Sequence, residues 1–233
     1  MGTALLVEYY LQLPEPKEGD DTRKSAARIH AALERFKKRV KARYTHGTLQ
    51  RLLHSDSSRA RRAAVLALGL LGGMESNEAL VRRLKDEDPA VRQMTSDALW
   101  SLWFRADTDA NNQELQRLIR LRDQEQAVAG LSMLIKRAPG FAEAYNQRAI
   151  LHFRMKEFQK SVADCEKVLK LNPLHFGALG GMAQCYINLR RPRAALKAFK
   201  HAYRINPSLE GVEETIRALE SALREDGKTD DKK

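Results

Sequence analysis

The residue types able to do chemistry are few here, and their spacing argues against catalysis. Six histidines, His30, His46, His54, His152, His175 and His201, form neither an HxxxH nor an HExxH group, so no metal-ligating pair shares a helical face. Cys165 and Cys185 lie inside helix-like segments, at positions suited to small buried side chains and without a CxxC spacing. They read as packed free thiols, which fits a reducing compartment. No glycine-rich loop follows a strand-like run, and Gly72-Gly73 stands where a helix ends, the ordinary use of glycine. The expectation is a non-enzymatic protein with no catalytic residue, no metal ligand and no cofactor.

Charge is the stronger signal. The chain of 233 residues has a formal net charge of +11, and residues 22–62 carry 13 lysines and arginines against Glu34 and Asp56. That end therefore holds the whole excess. Within it Ala26, Ile29, Leu33, Phe36 and Val40 recur at helical spacing. Arg28, Arg35, Lys37, Lys38, Arg39, Lys41 and Arg43 cover the rest of an amphipathic helix. Such a face suits an anionic partner: an acidic protein segment, a nucleic acid backbone or an anionic membrane surface. Nucleic acid binding here would be weak in sequence preference and steeply salt dependent, because Phe36 falls on the core face and Tyr44 is alone, leaving no interleaved stacking residues.

The elements that position these residues follow from periodicity. Charged residues at 30% and aromatic residues at 6% suit helices, and no useful strand-like alternation occurs. No run of 18 apolar residues could span a membrane. The apolar run from Ala4 to Leu13 lacks a basic leader and is interrupted by Glu8, so a secretory signal is not expected and a cytoplasmic location is. Either this run is the remnant of something longer, or it docks on the first helices. Two blocks of 34 residues superpose with Pro173 on Pro207, and Pro139 sits one period earlier. Within each, apolar spacing breaks at Lys156-Glu157 or Arg190-Arg191 and stops at Asn-Pro, so each block is two helices and a turn. Residues 108–141 form a weaker unit of the same length, and residues 208–224, with Val212, Ile216, Leu219 and Leu223 on one stripe, form a capping helix.

A second period of 31 precedes these blocks: Leu49, Leu53, Ala60, Arg61 and Leu68 map onto Leu80, Leu84, Val91, Arg92 and Leu99. Trp100 and Trp103 replace Gly69 and Gly72 of the earlier unit where the repeat type changes. They are expected to fill the junction core, the rival role being an exposed ligand-stacking pair.

The stretches YNQRAILHFRMKEFQKSVADCEKVLKLNP and LGGMAQCYINLRRPRAALKAFKHAYRINP resemble the tetratricopeptide (TPR) repeat, and LQRLLHSDSSRARRAAVLALGLLG and LVRRLKDEDPAVRQMTSDALWSLW resemble the short HEAT-like repeat. The latter resemblance implies a brace between units made by an acidic turn residue and an Arg six places on. Asp86 with Arg92 fits, while Ser55 stands opposite Arg61 unless Asp56 substitutes. The TPR resemblance implies a concave groove lined by the first helix of each hairpin and able to hold a peptide or a helix. Carried over, its lining is Asn112, Gln116 and Ile119, then Asn146, Ile150, Phe153 and Arg154, then Gly177, Gly180, Gln184, Ile187 and Asn188. The carboxylate-clamp form of that groove is disfavoured, because Arg154 is its only cation. Gly177, Gly180 and Gly181 cost a helix about 2–3 kcal/mol relative to alanine. Either a neighbouring helix or a ligand backbone must approach there.

The expected fold is all-α: a right-handed α-solenoid in which a short HEAT-like array packs onto a TPR array with a C-terminal capping helix. Its divisions are a tail over 1–21, the basic helix and HEAT-like repeats over 22–104, TPR repeats and cap over 105–225, and a disordered tail over 226–233. The expected role is a protein-interaction scaffold with a peptide or protein ligand in the groove and a basic N-terminal surface. The alternative is a basic α-solenoid that binds nucleic acid through residues 23–62.

Overall fold

A computed structural model describes residues 2–14 and 22–230, and all regular structure among the described residues is helical. The chain divides between Leu102 and Trp103 into two compact units.

In the first unit, residues 2–11 of the expected tail form a helix, α1 (Gly2–Leu11), which packs on α2 (Thr22–Lys41) and α4 (Ser58–Leu71) and buries Leu6 and Tyr9. The apolar run thus docks on the first helices. Residues 15–21 lie outside the described residues. On α2 the buried stripe is Ala32, Phe36 and Val40, with Ile29 and Leu33 half-covered and Ala26 exposed. Helix α3 (His46–Leu52) pairs with α4; Thr45 and Ser57 cap these two helices by accepting the Thr48 and Ala60 backbone N–H groups. A 3-10 turn (Met74–Ser76) leads into α5 (Asn77–Arg83), and α6 (Pro89–Trp103) follows. Asp88 accepts the Ala90 and Val91 N–H groups at the start of α6. The Arg62 guanidinium, joined by these backbone donors, holds the Asp88 carboxyl down at about 2. Helix α6 crosses α4 at Gly69, where a Cβ would stand 2.6 Å from the Ala98 Cβ, so this position has no room for any side chain.

The brace between HEAT-like units is real but differs from the expected pairing. Arg61 donates Nε and Nη2 to the two Asp86 carboxylate oxygens, at 2.9 and 2.8 Å, and Nη1 to the Ser55 and Asp56 carbonyls of its own turn. Arg92 repeats only the second half, donating to the Asp86 and Glu87 carbonyls at 2.8 and 3.1 Å. Each arginine therefore ties up its own turn, and the turn acid serves the arginine of the preceding unit. Ser55 opens the series, so it has no earlier arginine to meet, and Asp56 contributes its carbonyl rather than its carboxylate.

The second unit is a run of hairpins: α7 (Asp109–Leu118) with α8 (Gln124–Arg137), α9 (Ala142–Arg154) with α10 (Phe158–Leu171), and α11 (Phe176–Asn188) with α12 (Pro192–Ile205), then α13 (Val212–Asp230). Each helix packs on the next, and α9 also touches α11. The expected breaks are the left-handed residues Lys156 (φ 61°) and Arg190 (φ 55°), one period apart. There the following N–H reaches back five residues, Glu157 to the His152 carbonyl and Arg191 to the Tyr186 carbonyl, closing each helix the same way. Asn172 and Asn206, both buried before proline, accept the Leu174 and Ser208 N–H groups and close the second helices. Helix α13 buries Ile216 and half-covers Val212, Leu219 and Leu223, the stripe expected of the cap; it continues past Glu225 to Asp230, and residues 231–233 lie outside the described residues.

Breaking the Arg61–Asp86 pair removes both Asp86 bonds from a buried guanidinium and leaves it the exposed Glu87 carboxylate, 2.9 Å from Nη2, as its remaining counter-charge. Asp86→Ala should lower unfolding free energy by about 2–3 kcal/mol, below the full cost of an uncompensated buried charge. Asp56→Ala should change it by less than about 0.5 kcal/mol. Urea titrations followed by far-ultraviolet circular dichroism compare the two.

Candidate functional site

The wall formed by α9 and α11 is held by a buried polar cluster. Glu143 and His175 are both 0% exposed, with His175 Nε2 3.0 Å from Glu143 Oε2. His175 also caps α11, its Nδ1 accepting the Ala178 backbone N–H at 3.0 Å. Since Nδ1 accepts, Nε2 must carry the proton and donates it to the carboxylate. The other Glu143 oxygen accepts Nδ2 of Asn146 at 3.0 Å and Nε2 of Gln147 at 2.7 Å. The Trp103 ring stacks on His175 with centroids 4.0 Å apart and meets Phe176 at 5.1 Å. Trp103, 2% exposed, is thus core; Trp100 is half-buried. On the opposite side of α9, Arg148 grips both Asp164 oxygens and the Ser132 hydroxyl, binding α8, α9 and α10 together.

These contacts decide which groove residues are open to a ligand. Asn146 is buried and spends its amide nitrogen on Glu143. Asn112, on α7, donates to the Asp107 carbonyl and accepts the Asp107 N–H, so both ends of its amide fasten the turn before the helix. Gln116 lines a hollow of about 640 Å³ on α7 together with Asn112, Phe104 and Arg120. Ile150 and Phe153 are half-covered, with the Phe153 ring edge-on to Phe158 at 5.6 Å, and Arg154 is exposed. On α11 the solvent face is continuous. Gly177 and Gly180 are partly covered and Gln184, Ile187 and Asn188 exposed, one helical stripe. Among the described residues no atom outside the adjoining turns of α11 lies within 4 Å of where a Gly180 Cβ would be, and the Gly181 Cβ would make only ordinary contact with Cys165 Sγ at 3.9 Å. Close approach of a neighbouring helix therefore does not account for the glycine at 180.

Of the seven cations singled out, Arg28, Arg35, Lys38, Arg39 and Lys41 on α2 and Arg43 in the turn after it are exposed. Lys37 is half-covered and pairs with Glu34 at 2.7 Å. Arg39 is committed within the unit: its guanidinium lies 4.4 Å from the Tyr9 ring centroid and donates to Gln12, fastening α1 to α2.

Sequence models for HEAT repeats match residues 45–133, and models for the tetratricopeptide repeat match residues 142–174 and 176–209. A TPR repeat-containing protein of Rhizobium etli is 31% identical over 150 residues, which span 63% of this chain and 74% of that protein. The chain belongs to the TPR repeat-containing proteins. The Bos taurus SGT1 homolog is 31% identical to this TPR protein over 85 residues, 36% of this chain and 25% of that one. Among solved structures, the first TPR domain of Spaghetti (RPAP3), bound to an HSP90 peptide, is 17% identical, with a TM-score of 0.46 over 49% of this chain and 91% of that one. A TPR protein of Thermus thermophilus is 18% identical with a TM-score of 0.39, covering 93% and 96%. The HEAT match extends through α7 and most of α8, the hairpin read from sequence as a weak TPR unit.

One cluster in this TPR protein was not visible by summing charge over long segments. Arg193, Lys197, Lys200 and Arg204 lie at i, i+4, i+7 and i+11 on α12 and are all exposed. The signal was present: residues 167–209 hold eight lysines and arginines and no aspartate or glutamate. Among the described residues no group of three or more His, Cys, Asp or Glu side chains could hold a metal ion, and no helix is long and apolar enough to cross a membrane.

Burial pushes the Cys165 thiol up to about 12 and raises Cys185 as well. Both should resist Ellman's reagent at pH 8 in the native chain and react fully in urea, read as absorbance at 412 nm.

Proposed function

We propose that the α9–α11 wall holds a peptide or a helix of a partner protein, with the bare backbone of α11 as its floor. The observation that carries this reading is the open space over Gly180. Glycine inside a helix costs about 1 kcal/mol relative to alanine. At Gly69 the crossing helix explains that cost; at Gly180 no described neighbour does. A ligand backbone lying against α11 would make use of the missing side chain. Ile187, 38% exposed, supplies an apolar contact at one end of the stripe. Gln184 is exposed, and Asn188 donates to the Gln184 carbonyl, which leaves its own carbonyl oxygen facing solvent as an acceptor for a ligand N–H.

The same geometry argues against a site for acidic chain ends on this wall. Arg148 is spent on Asp164, and Arg154 is the cation that α9 offers to solvent in the stripe. Recognition here is by backbone hydrogen bonding and apolar contact. The exposed cations Arg35, Lys38 and Lys41 of α2, with Arg43 in the turn after it, are read as a second, electrostatic contact for an anionic partner.

Selection of a displayed random-peptide library on the full chain tests the groove. Enriched peptides should lose binding by tenfold or more in Gly180→Trp and keep it in Lys38→Glu/Lys41→Glu. Failure to enrich any peptide, or binding indifferent to Gly180→Trp, would overturn the reading. Gly180→Ala, which fills open space, should stabilise the chain by roughly 1 kcal/mol and raise its Tm in a calorimetric scan.

A further inference from the structure

A different surface, independent of the α11 face, lies where α12 meets α13. Between α12 and α13 lies a hollow of about 670 Å³ with an apolar floor of Leu196, Tyr203 and Ile216. One period earlier, between α10 and α11, stands its counterpart. Leu169, Lys170 and Met182 there occupy the places of Tyr203, Arg204 and Ile216 here. The earlier seat has a third wall, α12 itself, which brings Ala194, Ala198 and His201 to it. In the later seat α13 takes the place of α11, and no described helix takes the place of α12. The α12–α13 hollow is therefore a seat for the second helix of a further hairpin, and one period earlier the helix in that place is amphipathic: α12 turns Ala194, Ala198 and His201 to a hollow of about 540 Å³ and buries Ala195, Ala198, Phe199, Ala202 and Ile205 in the unit.

Charge narrows the occupant. At the earlier seat the floor offers Glu166 to a basic helix that carries Lys197. At the later seat the residue equivalent to Glu166 is Lys200, and Arg193, Lys197, Arg204 and Arg217 stand around it against Glu213. Lys200 is paired with Glu220 and Arg217 with Glu213, but Arg193, Lys197 and Arg204 have no ion partner among the described residues. A second α12-like helix would be repelled, whereas a helix with carboxylates flanking its apolar face meets three unpaired cations.

We propose that the α12–α13 seat binds an acidic amphipathic helix of a partner protein, docked as the second helix of a further repeat. This is a helix-in-groove mode, with anchors at i, i+3 or i+4 and i+7 on the apolar floor and carboxylates to the rim. The cations set the choice of partner and the rate of encounter, while the floor supplies the buried area.

The probe is a fluorescein-labelled peptide with the Pro192–Ile205 sequence in which the four positions 193, 197, 200 and 204 carry glutamate; its control keeps the native charges. Anisotropy titrations with the full chain should show the acidic peptide binding at least tenfold tighter than the control, with the preference shrinking as salt is raised. Arg193→Glu/Arg204→Glu should weaken the acidic peptide by tenfold or more while leaving the circular dichroism spectrum unchanged. Gly180→Trp should leave its binding unaltered, which separates this seat from the α11 face. Equal binding of the two peptides, binding indifferent to the double substitution, or loss of binding in Gly180→Trp would each overturn the proposal. So would a dimer in sedimentation velocity that Arg193→Glu/Arg204→Glu dissolves, because the seat would then belong to a second copy of the chain.

Discussion

A helical hairpin cannot bury its own apolar face, and that constraint runs through both units of this chain. Each hairpin of the second unit leans on the next, so its stability is close to a sum over neighbours. The terminal element must therefore tolerate water on one side. Helix α13 does so by burying Ile216, half-covering its stripe and showing glutamates and arginines elsewhere. Among the described residues no helix pairs with α13 as α12 pairs with α11, so the α12–α13 seat shows two walls where the earlier one shows three.

Apolar contact between helices is non-directional, and buried polar groups supply the register. Glu143 is fully buried, yet it accepts from His175, Asn146 and Gln147, which offset the cost of removing a carboxylate from water. Because His175 also caps α11, one imidazole fixes the start of α11 and its distance from α9. Arg61 does the equivalent in the first unit, holding its own turn with one nitrogen and the following turn's Asp86 with the other two. These groups orient helices whose apolar faces would otherwise slide.

Legibility differed by the kind of information a feature requires. The turns at Lys156 and Arg190 and the ends at Pro173 and Pro207 were readable, because a break in helical spacing at a fixed period is a one-dimensional signal. The brace was half-readable: spacing exposed the acid and the arginine but paired Asp86 with Arg92, since the true partner, Arg61, lies 25 residues away. Asn112 and Asn146 have the right type for a groove, but their amides face inward to Asp107 and Glu143, and residue type does not encode direction. The α12 stripe was missed because acids elsewhere in the chain cancelled it in the sum, although helical spacing alone would have collected it on one face.

Sequence by itself determined that the chain is helical, where its hairpins turn, that two repeat lengths follow one another, and that it belongs with TPR repeat proteins, because those properties rest on residue spacing along one element. Only the tertiary structure decided which polar side chains are spent inside and which glycine is crowded. At Gly69 a Cβ would collide with Ala98, while at Gly180 it would meet nothing, and the two are the same letter in the sequence. The difference is whether another helix passes within a few ångströms, a distance set by residues far apart in the chain.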